Sequence, residues 1–213
     1  MGLQRTIANY LITSSLFGKL GYLFRRSARK RQYDIYRSKY DLHPKFDLNE
    51  KNPDIELTGS GTIDTGKNSY LGRNTAINAV EDSKVEIGDN CAISHYVRIH
   101  TRNRQPDQDL GQNLTYSTGD VKIRDNVWIG AYVFITKDTI IRENTVIGAH
   151  SMVTRDIPPH SIVVGSPAKV MKFKSYLDEQ KINELAVNYW DVLSNDLQQE
   201  LRPKIEARPE FQG

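Results

Sequence analysis

The stretch Ile123-Arg124-Asp125-Asn126-Val127-Trp128-Ile129-Gly130-Ala131-Tyr132-Val133-Phe134-Ile135 carries a branched aliphatic residue at every sixth position. The step continues through Ile141, Ile147 and Val153, and an earlier run reads Ile87, Ile93, Ile99. Four residues after most of these comes a second small or branched side chain: Cys91, Val97, Val127, Val133, Thr139, Thr145 and Ser151. Neither the period of an α-helix nor the plain alternation of a strand generates this pattern. A chain that lays down one short strand per six residues and then turns a corner does generate it. Branched residues then fill a narrow interior, and Gly or Asn takes the corners. The period predicts a parallel β-helix whose coils stack on one another.

Outward from that stretch the repeat loosens. Leu71 and Ile77 keep the step, while Ile63, Val85 and the segment from Ile55 to Leu57 read as degenerate rungs, with turns at Gly59, Gly61, Gly66 and Gly72. Downstream the pattern dissolves at Ile157-Pro158-Pro159-His160 and recovers at Val163 and Val164. Beyond Ser175, the residues Ile182, Leu185, Ala186, Tyr189, Trp190 and Leu193 recur at three- and four-residue steps. They predict an amphipathic helix that covers an open end or side of the β-helix. Arg202-Pro203 is expected to end it, leaving a loose tail.

At the N-terminus, Leu3, Ile7, Tyr10, Leu11, Ser14, Leu20, Leu23 and Phe24 fall on one helical face, and a basic run follows: Arg25, Arg26, Arg29, Lys30, Arg31. Polar interruptions argue against a spanning helix. The face either packs on the β-helix or a neighbouring subunit, or lies on an anionic membrane surface with the basic run at the headgroups. The chain thus divides into an N-terminal amphipathic, basic segment (1–50), a β-helix (51–172), and a C-terminal helix and tail (173–213).

A formal net charge of +3 over 213 residues gives nucleic-acid binding no electrostatic support at the level of the whole chain. The single cysteine, Cys91, falls at an inward position; it excludes an intramolecular disulfide and is compatible with a reducing cytoplasm. There is no cysteine–histidine cluster with zinc spacing and no glycine-rich phosphate loop, so no metal is expected.

The repeat has one large gap, between Ile99 and Ile123, where the segment from Arg102 to Asn113 is polar and holds no rung. A long loop ejected from a compact stack is more often functional than idle. The inward phase of Ile93, Val97 and Ile99 turns His95 and His100 away from the core, and both stand just before this gap. They are the candidate general bases. His43 and His160 read as ordinary surface residues, and His150 as a neighbour of a ligand groove. Asp107 and Asp109 in the gap either orient an imidazole, bind acceptor hydroxyls, or simply solvate the loop.

The hexad runs, the gap, the Trp128-Ile129-Gly130 rung, the exit Val153-Thr154-Arg155-Asp156-Ile157-Pro158-Pro159 and the close Gly165-Ser166-Pro167-Ala168-Lys169 together resemble the hexapeptide-repeat acyltransferases. Within that superfamily they are most similar to galactoside, maltose and capsular-polysaccharide O-acetyltransferases. The resemblance spans roughly residues 55 to 172 and implies a mainly β, left-handed parallel β-helix with an ejected loop (102–120), flanked by an N-terminal helical segment and a C-terminal capping helix. It further implies a homotrimer with active sites between subunits, acetyl-coenzyme A as donor, and a sugar or glycan acceptor. That chemistry would suit capsule or O-antigen assembly in the cytoplasm or at the inner face of the membrane.

Carried over residue by residue, Ala131 and Ala149 line the pantetheine arm beside Gly130 and Gly148, and Trp128 shapes the site or packs structurally. Thr154 and Arg155 contact the donor near its far end, and Lys169 serves its phosphates. The galactoside branch places its catalytic histidine at the start of the ejected loop; here Arg104 or a neighbour stands there, and an arginine is no base near neutral pH. His95 matches the catalytic position of enzymes similar to serine and sugar N-acetyltransferases. It is therefore the first choice of base, with His100 second and Arg104, Asp107 and Asp109 as acceptor-side residues. Asn188-Tyr189-Trp190-Asp191 faintly resembles the capping helix of streptogramin-type acetyltransferases. The alternatives to sugar O-acetylation are N-acetylation of an amino sugar, xenobiotic acetylation, and a non-catalytic β-helix scaffold.

Overall fold

The structure is a computed structural model and describes residues 15–48 and 54–207, with side chains from residue 18 onward. It divides into two compact units, Met1–Lys39 and Tyr40–Gly213. In the first unit the described residues form one helix, Ser15–Lys39. The basic run does not follow this helix but lies inside it. No Pro or Gly interrupts this helix after Gly21, and Arg, Lys, Gln and Ala are strong helix formers. Leu20, Tyr22, Leu23 and Phe24 are exposed. The expected contributions of Leu3, Ile7, Tyr10, Leu11 and Ser14 lie outside the described residues or their side chains. Among the described residues no helix is long and apolar enough to cross a membrane.

The second unit is a three-faced solenoid. The first face stacks Asp41–Leu42, Thr62–Thr65, Lys84–Ile87, Val121–Ile123 and Thr139–Ile141; the second stacks Tyr70–Leu71, Ala92–Ile93, Trp128–Ile129, Val146–Ile147 and Ser161–Val164. The third stacks Glu56–Thr58, Ala76–Asn78, Arg98–His100, Phe134–Ile135 and Met152–Val153. All of these pair in parallel. Six residues is the distance from one face to the next, and three such steps close a coil, so Ile129 sits against Ile147 and Ile135 against Val153. The inward ladders are fully enclosed: Ile93, Ile99, Ile129, Ile135, Ile141, Ile147 and Val153 are all 0% exposed. Each contributes roughly 1.5–3 kcal/mol by leaving water. Cys91 is likewise buried, and burial pushes its thiol pKa up, as befits a small core residue.

The corners follow a rule of their own. The third residue after an inward aliphatic adopts a left-handed backbone at Asn74, Asn90, Asn126, Asp138 and Asn144, and also at Tyr96, Tyr132 and His150, with φ between 55° and 60°. Asn tolerates this conformation cheaply, whereas Tyr does not.

Two departures from the sequence reading concern the gap and the exit. Ile93 pairs with Ile129, and Ile99 with Ile135, so the strands on either side of the gap still stack in register. The ejected segment is not a plain loop: Arg102–Arg104 and Tyr116–Thr118 pair antiparallel as a β-hairpin. Its strands bury neither face, so no hydrophobic pattern marks them. At the exit, Ile157 remains inward and bridges Ile141, whereas Val164, expected inward beside Val163, is 39% exposed.

The strand Lys169–Phe173 turns back antiparallel on Ser161–Val164 and ends the parallel stack. The helix Glu179–Asn188 follows, with the Asp178 carboxylate accepting from the Lys181 N–H at its N-cap. A second helix, Asn195–Glu206, capped by Ser194, runs through the expected stop at Arg202-Pro203, and residues 208–213 of the expected tail lie outside the described residues. Gln199 and Pro203 are both exposed, so the carbonyl that proline leaves unpaired faces solvent. Leu193 bridges Val170, and Leu197 and Leu201 are buried, so two helices and a short 3-10 turn do the covering.

Candidate active site

Residues distant in sequence converge on the corner between the second and third faces. The Tyr132 N–H donates to the His95 carbonyl (3.1 Å) and the His150 N–H to the Ala131 carbonyl (2.9 Å), which stacks His95, Ala131 and Ala149 in successive coils. Beside them the left-handed residues form a ring ladder. Tyr96 and Tyr132 stack at 4.7 Å and Tyr132 and His150 at 4.9 Å, with planes within 5° of parallel. The sequence reading missed this ladder, although its signal is legible: an aromatic or His recurs at the third residue after Ile93, Ile129 and Ile147. Gly130 has no room for a side chain, since a Cβ there would meet the Ala149 nitrogen at 2.6 Å, and a Cβ on Gly148 would meet Val164 Cγ1 at 2.7 Å, so that side chain would have to shift. Trp128 is 55% exposed on the second face, so it does not pack in the core of the chain.

The two candidate bases differ in chemistry. His95 is exposed, and its Nδ1 accepts the Arg73 N–H at 3.0 Å. Asp89 and Asp125 do the same at other corners, accepting from the N–H groups of Lys67 (2.9 Å) and Asp89 (2.8 Å). An imidazole that accepts at Nδ1 carries its proton on Nε2 when neutral, so its outward nitrogen has no lone pair. His100 is half-buried on the third face, edge-on to Phe134 at 5.0 Å. Burial, and then the neighbouring Arg98 charge, hold its pKa below the usual 6.5, so the ring is neutral at pH 7. No described residue hydrogen-bonds its imidazole. Because Ile99, Ile135 and Val153 align, the residues that follow them, His100, Thr136 and Thr154, also stack in successive coils. Thr154 therefore stands two coils from His100, about 10 Å away.

The remaining expected residues are spread around this edge. Arg155 is exposed beyond Thr154. The Lys169 ammonium donates to the Asp191 carbonyl in the C-terminal cover. In the hairpin, Asp109 spends its carboxylate on its own turn, accepting from Gly111 N–H (2.9 Å) and Gln112 Nε2 (3.0 Å). Asp107 is exposed with no described partner, and Arg104 lies 5.9 Å from the Tyr116 ring centroid. A groove of about 370 Å³ bounded by His43, Thr65, Gly88 and Asp125 opens on the first face and holds none of the expected residues. Within the chain the candidate site is an open edge. Among the described residues no group of three or more His, Cys, Asp or Glu could hold a metal.

The chain has relatives of known kind. Residues 120–155 match the family described as bacterial transferase hexapeptide (six repeats). The galactoside O-acetyltransferase of Escherichia coli is 35% identical over 120 residues, 56% of this chain and 58% of that enzyme, so the chain spans little more than half its length. A putative acetyltransferase of Saccharomyces cerevisiae is 36% identical over 159 residues, 67% of this chain and 81% of the yeast protein. Among solved structures, a maltose O-acetyltransferase from Clostridium difficile superposes with a TM-score of 0.58 at 32% identity, covering 68% of this chain and 76% of that one. With the solenoid, the hairpin at its single gap and these relatives in place, the chain belongs to the hexapeptide-repeat acetyltransferase family.

Proposed function

We propose that this protein transfers an acetyl group from acetyl-coenzyme A to a sugar hydroxyl, in the assembly of a surface polysaccharide such as capsule or O-antigen, with His100 as the general base. The observation that carries the reading is the neutral, half-buried imidazole of His100 at the root of the hairpin. Its lone pair is free, whereas His95 is committed to a corner peptide. The hydroxyl proton passes to the imidazole, the oxygen forms a C–O bond with the acyl carbon, the C–S bond breaks, and the imidazolium returns the proton to the departing thiolate. Electrons and protons balance without a further reactant.

The donor side is supported by small residues where a thin chain would lie. Ala131 and Ala149 leave the corner backbone open between Trp128 and the third face, and Arg155 and Lys169 supply cations for its phosphates. The second face supports a homotrimer that completes the open edge. Its outward column reads Tyr70, Ala92, Trp128, Val146 and Ile162, with Tyr70 41% and Trp128 55% exposed, and an apolar outer face calls for a cover. Exposed Leu20, Tyr22, Leu23 and Phe24 beside five basic residues support contact of the N-terminal helix with an anionic membrane surface.

Thiol release from acetyl-coenzyme A across neutral sugars, amino sugars and streptogramins tests the reading. Transfer to a sugar hydroxyl, lost in H100A, is the expected result. Preference for an amine or a streptogramin reassigns the acceptor, and failure to bind acetyl-coenzyme A at high micromolar concentration favours a scaffold.

A further inference from the structure

We propose that the acceptor carries a phosphoryl group and that Arg102 and Arg104, at the root of the hairpin, receive it; the inference rests on the acyl-transfer reading above. The two arginines alternate on one strand, so both side chains leave the same face of the ribbon, opposite Thr118 and Tyr116. The guanidinium carbon of Arg102 lies 3.6 Å from the centroid of the Tyr116 ring and that of Arg104 lies 5.9 Å from it. A guanidinium held by its face keeps its in-plane N–H donors available. Both arginines are exposed, and neither guanidinium makes a hydrogen bond or ion pair with a described residue. This sets them apart from Lys67, Lys84, Lys122, Lys137, Lys181 and Lys204, each of which sits against a carboxylate. Arg98 nearby is already committed to the Asn74 carbonyl (2.5 Å).

The root is well anchored. Thr101 is fully buried, its hydroxyl accepts from the Val80 N–H at 3.0 Å, and its carbonyl accepts from the Gly119 N–H at 3.0 Å. Chain geometry puts the Arg102 Cα within about 7 Å of the His100 Cα and that of Arg104 within about 14 Å. A phosphoryl group on the anomeric oxygen stands one sugar ring from the acceptor hydroxyls, which suits that span. Two unshared guanidiniums match a phosphoryl group with several acceptor oxygens and up to two charges. A uronic-acid carboxylate offers one charge and is satisfied by a single fork.

The test uses the full chain, wild type and R102A/R104A, with R102Q/R104Q in reserve if the alanine variant does not fold. Thiol release is followed with galactose, galactose 1-phosphate, UDP-galactose, a polyprenyl-diphosphate galactose in detergent, and galacturonate. The wild type should show a KM at least about 100-fold lower for a phosphorylated acceptor than for galactose, roughly tenfold per guanidinium. That ratio should collapse toward one in the variant. Which phosphorylated acceptor is preferred separates a nucleotide-linked source from a lipid-linked one. Equal KM values for galactose and its phosphate, or a preference for galacturonate, would overturn the proposal. Inorganic pyrophosphate, titrated calorimetrically with coenzyme A in excess, gives a second readout. The variant should bind it at least tenfold more weakly, and equal affinity would overturn the proposal. If no acceptor releases thiol, the acyl-transfer reading fails, while the pyrophosphate titration still decides the anion site.

Discussion

Two corners of the solenoid have the same backbone and different surfaces. Between the first and second faces, Asn68, Asn90 and Asn126 form an amide ladder, each Nδ2 donating to the next Oδ1 at 3.2 and 3.3 Å. Between the second and third faces, the same left-handed positions hold Tyr96, Tyr132 and His150 in a stack of rings. The amide corner meets the conformational demand of the coil at low cost, since Asn visits this region readily. The ring corner takes on backbone strain that the fold does not require. Ring stacking offsets part of it, and aromatic pairs contribute about 0.5–1.5 kcal/mol beyond burial. The proposed donor site would account for the strain, since Ala131 and Ala149 directly precede Tyr132 and His150.

The largest expected effect separates the two histidines of that region. His100→Ala should lower kcat by about 10²–10⁴, the usual contribution of a general base. His95→Asp should stay within about tenfold of wild type, because a carboxylate caps this kind of corner at Asp89 and Asp125. The opposite ranking would reassign the base and break the contrast between a capping and a working histidine.

Next comes the shared interior, where the corners should not differ. Ile129→Ala is expected to cost about 2–5 kcal/mol in urea unfolding, because a fully enclosed side chain leaves a cavity in a narrow core. A smaller loss would mean the coils collapse to fill it. The corner swaps are smaller still. Asn126→Tyr should destabilise by about 1–2 kcal/mol, having the left-handed cost without a ring on either side. Tyr132→Asn should change stability by less than about 1 kcal/mol while raising the KM for acetyl-coenzyme A. A large stability loss without a change in KM would make the ring ladder structural.

The pH profile sharpens the assignment further. With the folded pKa of His100 held below 6.5, its neutral form is retained until the pH falls below that value, so the acid limb of kcat/KM should lie below pH 6.5. An unfolded chain would take up this proton first. The stability that the neutral ring contributes is therefore full above pH 6.5 and lost as pH falls toward the folded value. H100Q should remove this contribution from both profiles.

The interior was legible from the chain because a six-residue period leaves one geometric solution. Each inward residue from Ile87 to Val153 could be named before any contact was seen, and all are buried. The hairpin strands and the helix through Pro203 were not legible. The former bury no face, and the latter keeps its broken hydrogen bond on the solvent side, so neither leaves a hydrophobic signature. His95 and His100 also looked alike in sequence, two outward imidazoles beside one gap. They differ in burial, which is greater at His100, and in the hydrogen bond from the Arg73 N–H that occupies one ring nitrogen of His95.

The β-helix, the place where a segment leaves it and the motifs that tie it to its family were already legible in the chain, because branched side chains at fixed spacing admit little else. Folding alone settles which ring nitrogen is free and which arginines lack a counterion. These depend on atoms from coils eighteen to thirty-six residues apart being brought within a hydrogen bond of one another. No local pattern encodes that closeness.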